Sequence, residues 1–166
     1  RFQPGQRQIY VLNVSGGEAR PVTDLRGELD GPIWSPDGRE IAFLYRKPRP
    51  NPVPDRNDNQ VEGEGVRYRR VYAANLETGA VRPLTPEGYE IHEFAWSPDG
   101  NRLAMVAKQG ETLPSGWYTA QLYTLHIDQP DTMRQLFTAN RQLCGLTWSP
   151  NSQEIAFMTC LISDPP

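Results

Sequence analysis

The sequence predicts an all-β chain, a segment of a β-propeller with four-stranded antiparallel blades, and three observations predict it. The tetrapeptide Trp-Ser-Pro-Asp/Asn occurs three times, as Trp34-Ser35-Pro36-Asp37, Trp96-Ser97-Pro98-Asp99 and Trp148-Ser149-Pro150-Asn151. Each copy is followed by an apolar triplet of one shape: Ile41-Ala42-Phe43, Leu103-Ala104-Met105 and Ile155-Ala156-Phe157. The 166 residues include 16 Pro and 14 Gly, a composition of short strands and tight turns with few helix signals. Self-similarity of this kind means that each unit buries its apolar faces only against its neighbours. The tryptophans recur at intervals of 62 and 52 residues, and a polar insertion at 46–69 accounts for the longer one.

Taken in order, the chain opens at the third strand of a unit. Residues 9–14 and 19–23 read as strands three and four, joined by Gly16-Gly17, and make a half-blade over 1–23. A whole blade follows over 31–85. Its first strand, 31–34, ends in Trp34, and Ser-Pro-Asp-Gly then makes a turn: Pro presets φ, Asp bonds its own backbone and Gly accepts positive φ. Strands at 40–44, 71–76 and 81–85 complete it. The second blade, 93–138, repeats the pattern with strands at 93–96, 102–106, 122–127 and 133–138. A last half-blade, 145–160, holds strands 145–148 and 154–158.

Tyr10, Tyr72 and Tyr123 fall in register on the third strands, and Arg20-Pro21-Val22 is echoed by Arg82-Pro83-Leu84 on the fourth. The apolar triplets suit sheets sandwiched between other sheets, and the small Ala42, Ala104 and Ala156 allow close contact between blades. The tryptophans, ending buried strands, are expected to be core landmarks. In the third copy Asn151-Ser152 replaces Asp-Gly, which predicts a looser turn. Three blades' worth of strands does not close a ring, since about four is the smallest propeller. Two closures are open: two copies completing a six-bladed ring as a homodimer, or the chain forming part of a longer propeller.

The formal net charge is −3, which argues against a general nucleic-acid partner. No apolar run approaches 18 residues, so no membrane-spanning helix is expected. Cys144 and Cys160 read as two small apolar residues on separate strands; a disulfide is the alternative.

At the Trp-Ser-Pro-Asp-Gly repeats the chain resembles six- to eight-bladed propellers of two groups. One comprises TolB-like periplasmic propellers, the other the non-catalytic amino-terminal propellers of prolyl-oligopeptidase-family serine peptidases. The stretch Glu62-Gly63-Glu64-Gly65 with Arg67-Tyr68-Arg69-Arg70, inserted before a third strand, is similar to the acylaminoacyl-peptidase branch. The peptidase resemblance implies a cytoplasmic domain that gates peptide substrates for an α/β-hydrolase domain elsewhere in the parent chain. The TolB resemblance implies a periplasmic module that binds another protein. Related propeller lyases use a His-rich centre with a metal, and only His92 and His126 are present here.

No catalytic residue, cofactor or metal is therefore expected in this chain. The Gly-x-Ser-x-Gly elbow of the hydrolases is missing from the sequence. Asp55-Arg56-Asn57-Asp58-Asn59 has the spacing of a calcium loop, but Gln60 stands where Gly is required and Val66 where the closing Glu belongs. The basic runs flanking the insertion, from Arg46 and from Arg67 to Arg70, read as solvated charge neutralised by acids at 55, 58, 62 and 64. Antiparallel order places the long connections, two-to-three and four-to-one, on one face. Varied loops on a rigid face are where binding is usually built. The candidate binding residues for a protein or peptide on that face are Asp30, His92, Glu93, Trp117 and Tyr118.

Overall fold

The computed structural model describes residues 7–48, 67–110, 119–139 and 141–160. Twelve strands among them fall into four antiparallel sheets that follow the sequence period. β1 (Tyr10–Val11) and β2 (Arg20–Pro21) form a half-blade. β3 (Glu28–Trp34), β4 (Glu40–Arg46), β5 (Arg70–Asn75) and β6 (Val81–Pro83) form the first whole blade. β7 (Tyr89–Trp96), β8 (Arg102–Gln109), β9 (Gln121–His126) and β10 (Arg134–Phe137) form the second, and β11 (Gln142–Trp148) with β12 (Ile155–Cys160) a closing half-blade. Strands adjacent in sequence are adjacent in each sheet, the meander of a propeller blade. The chain is a partial β-propeller.

The inner strands β3, β7 and β11 each start three or four residues before the segments that the sequence predicts. Pairing continues through a β-bulge in each: between Asp30 and Ile33, Ile91 and Glu93, and Cys144 and Thr147. A bulge adds one residue to one side of the pair and breaks the period-2 alternation, which hides the strand's beginning from a sequence reading. Gly31 (φ 57°) and Gly145 (φ 67°) supply the left-handed residue in two of the three. At Gly145 an added Cβ would lie 2.5 Å from the Met158 methyl carbon, the end of an exposed side chain that can move aside, so it is the positive φ that calls for glycine.

The outer strands are shorter than predicted. β1 spans two residues where residues 9–14 were expected, and Leu12 and Val14 are exposed. Pro21 and Pro83 lie on the outermost strands β2 and β6, paired with Tyr10 and Tyr72. Proline lacks the N–H that would invite another strand, so it suits an edge.

Three apolar cores lie between successive sheets. The largest joins the whole blades through Leu44, Val71, Ile91, Phe94, Leu103 and Met105. The first half-blade packs on the first blade through Ile9, Leu29, Ile41, Phe43 and Tyr72. Val106, Leu122 and Leu143 join the second blade to the last sheet, with Phe157 packed beside them. Ala42 is fully buried in the largest of these cores, and Ala104 is fully buried on β8. Ala156 is exposed instead, because no further strand covers β12 among the described residues.

Each Ser-Pro-Asp/Asn turn closes by one hydrogen-bond pattern. The Ser97 hydroxyl donates to Asp99 (2.6 Å) and accepts from the Arg102 N–H (2.9 Å), while Asp99 accepts from the Asn101 N–H (3.0 Å). Ser35, Asp37, Arg39 and Glu40 repeat this set. The third turn was expected to be looser and is not. Ser149, Asn151, Gln153 and Glu154 make the same bonds, with Ser152 taking the left-handed conformation (φ 59°) that glycine takes elsewhere. The Ser152 hydroxyl accepts from the Asp99 N–H (3.0 Å) and its carbonyl from Arg102, so bonds to the preceding blade offset the strain.

The tryptophans also depart from expectation. Trp96 and Trp148 are half-buried and Trp34 is 51% exposed. Trp148 shows why. Its Nε1 donates to the Ala95 carbonyl of the preceding blade (3.1 Å), and the Arg102 guanidinium lies 5.0 Å above its ring. Among the described residues the sheet beside Trp34 holds only β1 and β2, neither of them an inner strand that could receive the indole, and a cavity of about 270 Å³ is lined by Tyr10, Leu12, Pro32 and Trp34.

A further repeat escapes the sequence pattern. Gln8, Arg70 and Gln121 stand in equivalent positions at the start of the third strands. Each side chain clasps the backbone leaving the fourth strand, at Leu25, Thr85 and Ala139 respectively.

Candidate functional site

The long connections between β4 and β5, β8 and β9, and β6 and β7 leave the sheets at one end. At that end a polar cluster spans the junction of the two whole blades. Arg46, closing β4, donates to the Glu90 carboxylate on β7 and lies 3.6 Å from Glu28 on β3. Glu90 is buried, its side chain 4% exposed, and its second oxygen accepts the Arg69 N–H at 2.7 Å. The Ile91 N–H donates to the Arg69 carbonyl (2.8 Å), and the Arg69 guanidinium donates to the carbonyls of Ile91 (2.9 Å) and His92 (3.4 Å). Lys108 on β8 pairs in register with Glu90. The Arg46 guanidinium and the Arg69 N–H replace hydrogen bonds that the buried Glu90 carboxylate gives up to water.

His92 is the extra residue of the β7 bulge and is half-buried beside this cluster. Its imidazole is pushed down to about 4 by burial, then by the positive charges of Arg69, Arg46 and Lys108. At neutral pH it is an uncharged imidazole among three cations. Such a set can receive an anion or a carbonyl oxygen.

Of the other residues singled out from sequence, Glu93 neighbours His92 on β7, but its carboxylate engages the next sheet. It accepts the N–H groups of Gly145 (3.0 Å) and Leu146 (2.7 Å), two backbone donors at the β11 bulge. Asp30 is exposed at the equivalent bulge of β3, where it accepts the Gly31 N–H (2.9 Å) and lies 3.8 Å from Arg7. Trp117, Tyr118, the 55–59 loop and most of the insertion lie outside the described residues. His126 is exposed on β9, with its ring nitrogen 4.0 Å from Asp128.

Sequence reasoning missed Arg46, Arg69, Glu90 and Lys108. The basic runs were read as solvated and neutralised by the insertion's acids. Those acids lie outside the described residues; among the described residues Arg46 pairs with glutamates of β3 and β7, Arg67 donates to the Lys47 carbonyl (2.8 Å), and Arg70 donates to the Thr85 carbonyl (2.9 Å) and pairs with Glu87 (3.1 Å). No signal marked Glu90, which falls before the strand predicted at 93–96, in a stretch read as a connection, while β7 in fact begins at Tyr89.

The chain matches no protein-family model. Among curated proteins it is similar to the uncharacterized peptidase YuxL of Bacillus subtilis, 30% identical over 123 residues, covering 63% of this chain and 19% of that protein. It is similar also to the Tol-Pal system protein TolB of Anaeromyxobacter dehalogenans, 28% identical over 109 residues, covering 64% of this chain and 20% of that protein. The chain thus spans about a fifth of the length of these relatives. Among solved structures, oligogalacturonate lyase from Vibrio parahaemolyticus superposes with a TM-score of 0.64 at 17% identity, over 96% of this chain and 41% of that one. At that identity the likeness is one of fold.

Proposed function

We propose that this chain is the non-catalytic propeller portion of a serine peptidase of the prolyl-oligopeptidase family, and that its long-loop face binds or filters peptide substrates. Hydrolysis belongs, in this reading, to an α/β-hydrolase domain of the same parent chain. The observation that carries it is the 30% identity to the peptidase YuxL, the highest identity among the relatives described above. The Arg46–Glu90–Arg69 cluster adds weight, because it stiffens the long-loop end of two blades, where a substrate filter would sit. A propeller supports such loops without joining the chemistry, and function is assigned from the site, not from the fold.

A second reading, a TolB-like module that binds another protein, is favoured by the similarity to TolB over much the same share of the chain. Labelling the complete protein with a fluorophosphonate separates the two. The peptidase reading expects one labelled serine outside residues 1–166, and turnover of aminoacyl or dipeptidyl p-nitroanilides that the label abolishes. It expects no turnover from residues 1–166 alone. A complete protein that neither labels nor cleaves would sink it in favour of the binding module.

A further inference from the structure

The cluster around His92 is unevenly matched in charge. Its carboxylates are engaged: Glu90 by Arg46 and the Arg69 backbone, Glu28 by Arg46, and Glu93 by the Gly145 and Leu146 backbone. Two of its cations are not neutralised. Arg69 uses Nε and Nη2 on carbonyl oxygens, and its Nη1 has no partner among the described residues. Lys108, half-buried on β8, makes no ion pair or hydrogen bond among the described residues. Partly buried donors without a counter-charge are costly unless something supplies one.

We propose that Arg69, Lys108 and His92 form a binding site for a single carboxylate of a peptide on the long-loop face. The ligand would accept hydrogen bonds from the Lys108 ammonium and the Arg69 Nη1, with the imidazole as the third contact. Glu90 stands opposite Lys108 and Glu93 follows His92 on β7, so a polyanion such as nucleic acid meets repulsion where a singly charged group does not. Lys108 stands opposite Glu90, two residues before His92, and the Arg69 guanidinium lies 3.4 Å from the His92 carbonyl, so the cations gather around one residue, in keeping with the lowered His92 value. A bound carboxylate would offset that repulsion and raise the affinity of the imidazole for a proton. The inference rests on the reading that this face handles peptides. Its test does not require hydrolysis, so the two can fail separately.

The chain has only two histidines, which makes histidine-labelled NMR a direct readout. Acetyl-Ala-Ala as the free acid, acetyl-Ala-Ala-amide and acetyl-Ala-Glu-amide are titrated at constant ionic strength. A charged peptide should shift the His92 ring signals saturably and raise the His92 titration midpoint, leaving His126 unmoved, while the neutral amide does neither. Response to the free acid alone assigns a C-terminal carboxylate, and response to the Glu peptide alone assigns an acidic side chain. Lys108→Gln should weaken binding about fivefold or more, and Lys108→Arg should recover most of it, as expected for a charge contact. Lys108 has no described polar partner, so this pair keeps the test usable even where Arg69→Gln fails to fold. Equal responses to acid and amide, equal shifts of both histidines, or no response at all would overturn the site.

Discussion

Arg46 and Glu90 are 44 residues apart and join the second strand of one blade to the inner strand of the next by a charge-assisted hydrogen bond. The carboxylate is almost wholly buried and is shared with the Arg69 backbone. This contact ties the long-loop ends of the two blades together beside the apolar core they share.

Removing one partner should therefore cost more than removing both. Glu90→Leu leaves Arg46 partly buried beside an unanswered backbone N–H, a loss of about 3–5 kcal/mol. Arg46→Met combined with Glu90→Leu should cost less than the sum of the single changes. Urea denaturation of the four proteins makes the comparison, and strict additivity would mean that the pair is not coupled.

His92 predicts a pH dependence of stability. Its folded value is about 4, below the ordinary 6.5 of an unfolded chain, so the unfolded state binds the proton first as pH falls. The associated stability is complete above about pH 6.5 and is lost as pH drops towards 4, by roughly 1–2 kcal/mol once solvent screening is allowed for. His92→Gln should flatten the stability–pH curve in that window and leave it unchanged above pH 7.

The Ser-Pro-Asp turns predict a second, more acidic transition. The serine hydroxyl, then a backbone N–H, holds the Asp37 and Asp99 carboxyls below their ordinary range. Their contribution is present above the ordinary carboxylate value and disappears as pH falls through the lower folded value. Ser97→Ala, at a fully buried hydroxyl, should cost about 1–3 kcal/mol at neutral pH, because Asp99 and the Arg102 N–H both lose a partner. Thermal melts of Ser97→Ala against the parent at pH 7 and pH 3 should differ more at pH 7.

The tryptophans should separate by their surroundings. Trp34→Ala removes a half-exposed ring and should cost about 1 kcal/mol. Trp148→Ala removes the bond to Ala95 and the stack under Arg102, and should cost about 2–4 kcal/mol. Equal losses in denaturant melts would contradict the inter-blade role of Trp148.

The strand period, the four-stranded blade and the Ser-Pro-Asp turns were legible because they depend on neighbours in sequence. Apolar triplets after each Trp-Ser-Pro mark the central strands, and Ser, Asp and Gly at fixed offsets close the turns. The strand beginnings at Glu28, Tyr89 and Gln142 were hidden by bulges, and the burial of each tryptophan depended on the sheet that precedes it.

The candidate site divides in the same way. His92 was legible as a position near the inner strand, and the face that carries it followed from the alternation of short and long connections. Arg46, Arg69, Glu90 and Lys108 come from four separate stretches of chain, so their juxtaposition exists only once two blades pack together. By itself the sequence determined the repeat, the blade and the end on which the long loops gather, because local hydrogen bonds and side-chain alternation are written in adjacent residues. Only the tertiary structure decided which charges meet and which are left unmatched, because burial and electrostatic pairing are set by distances through space.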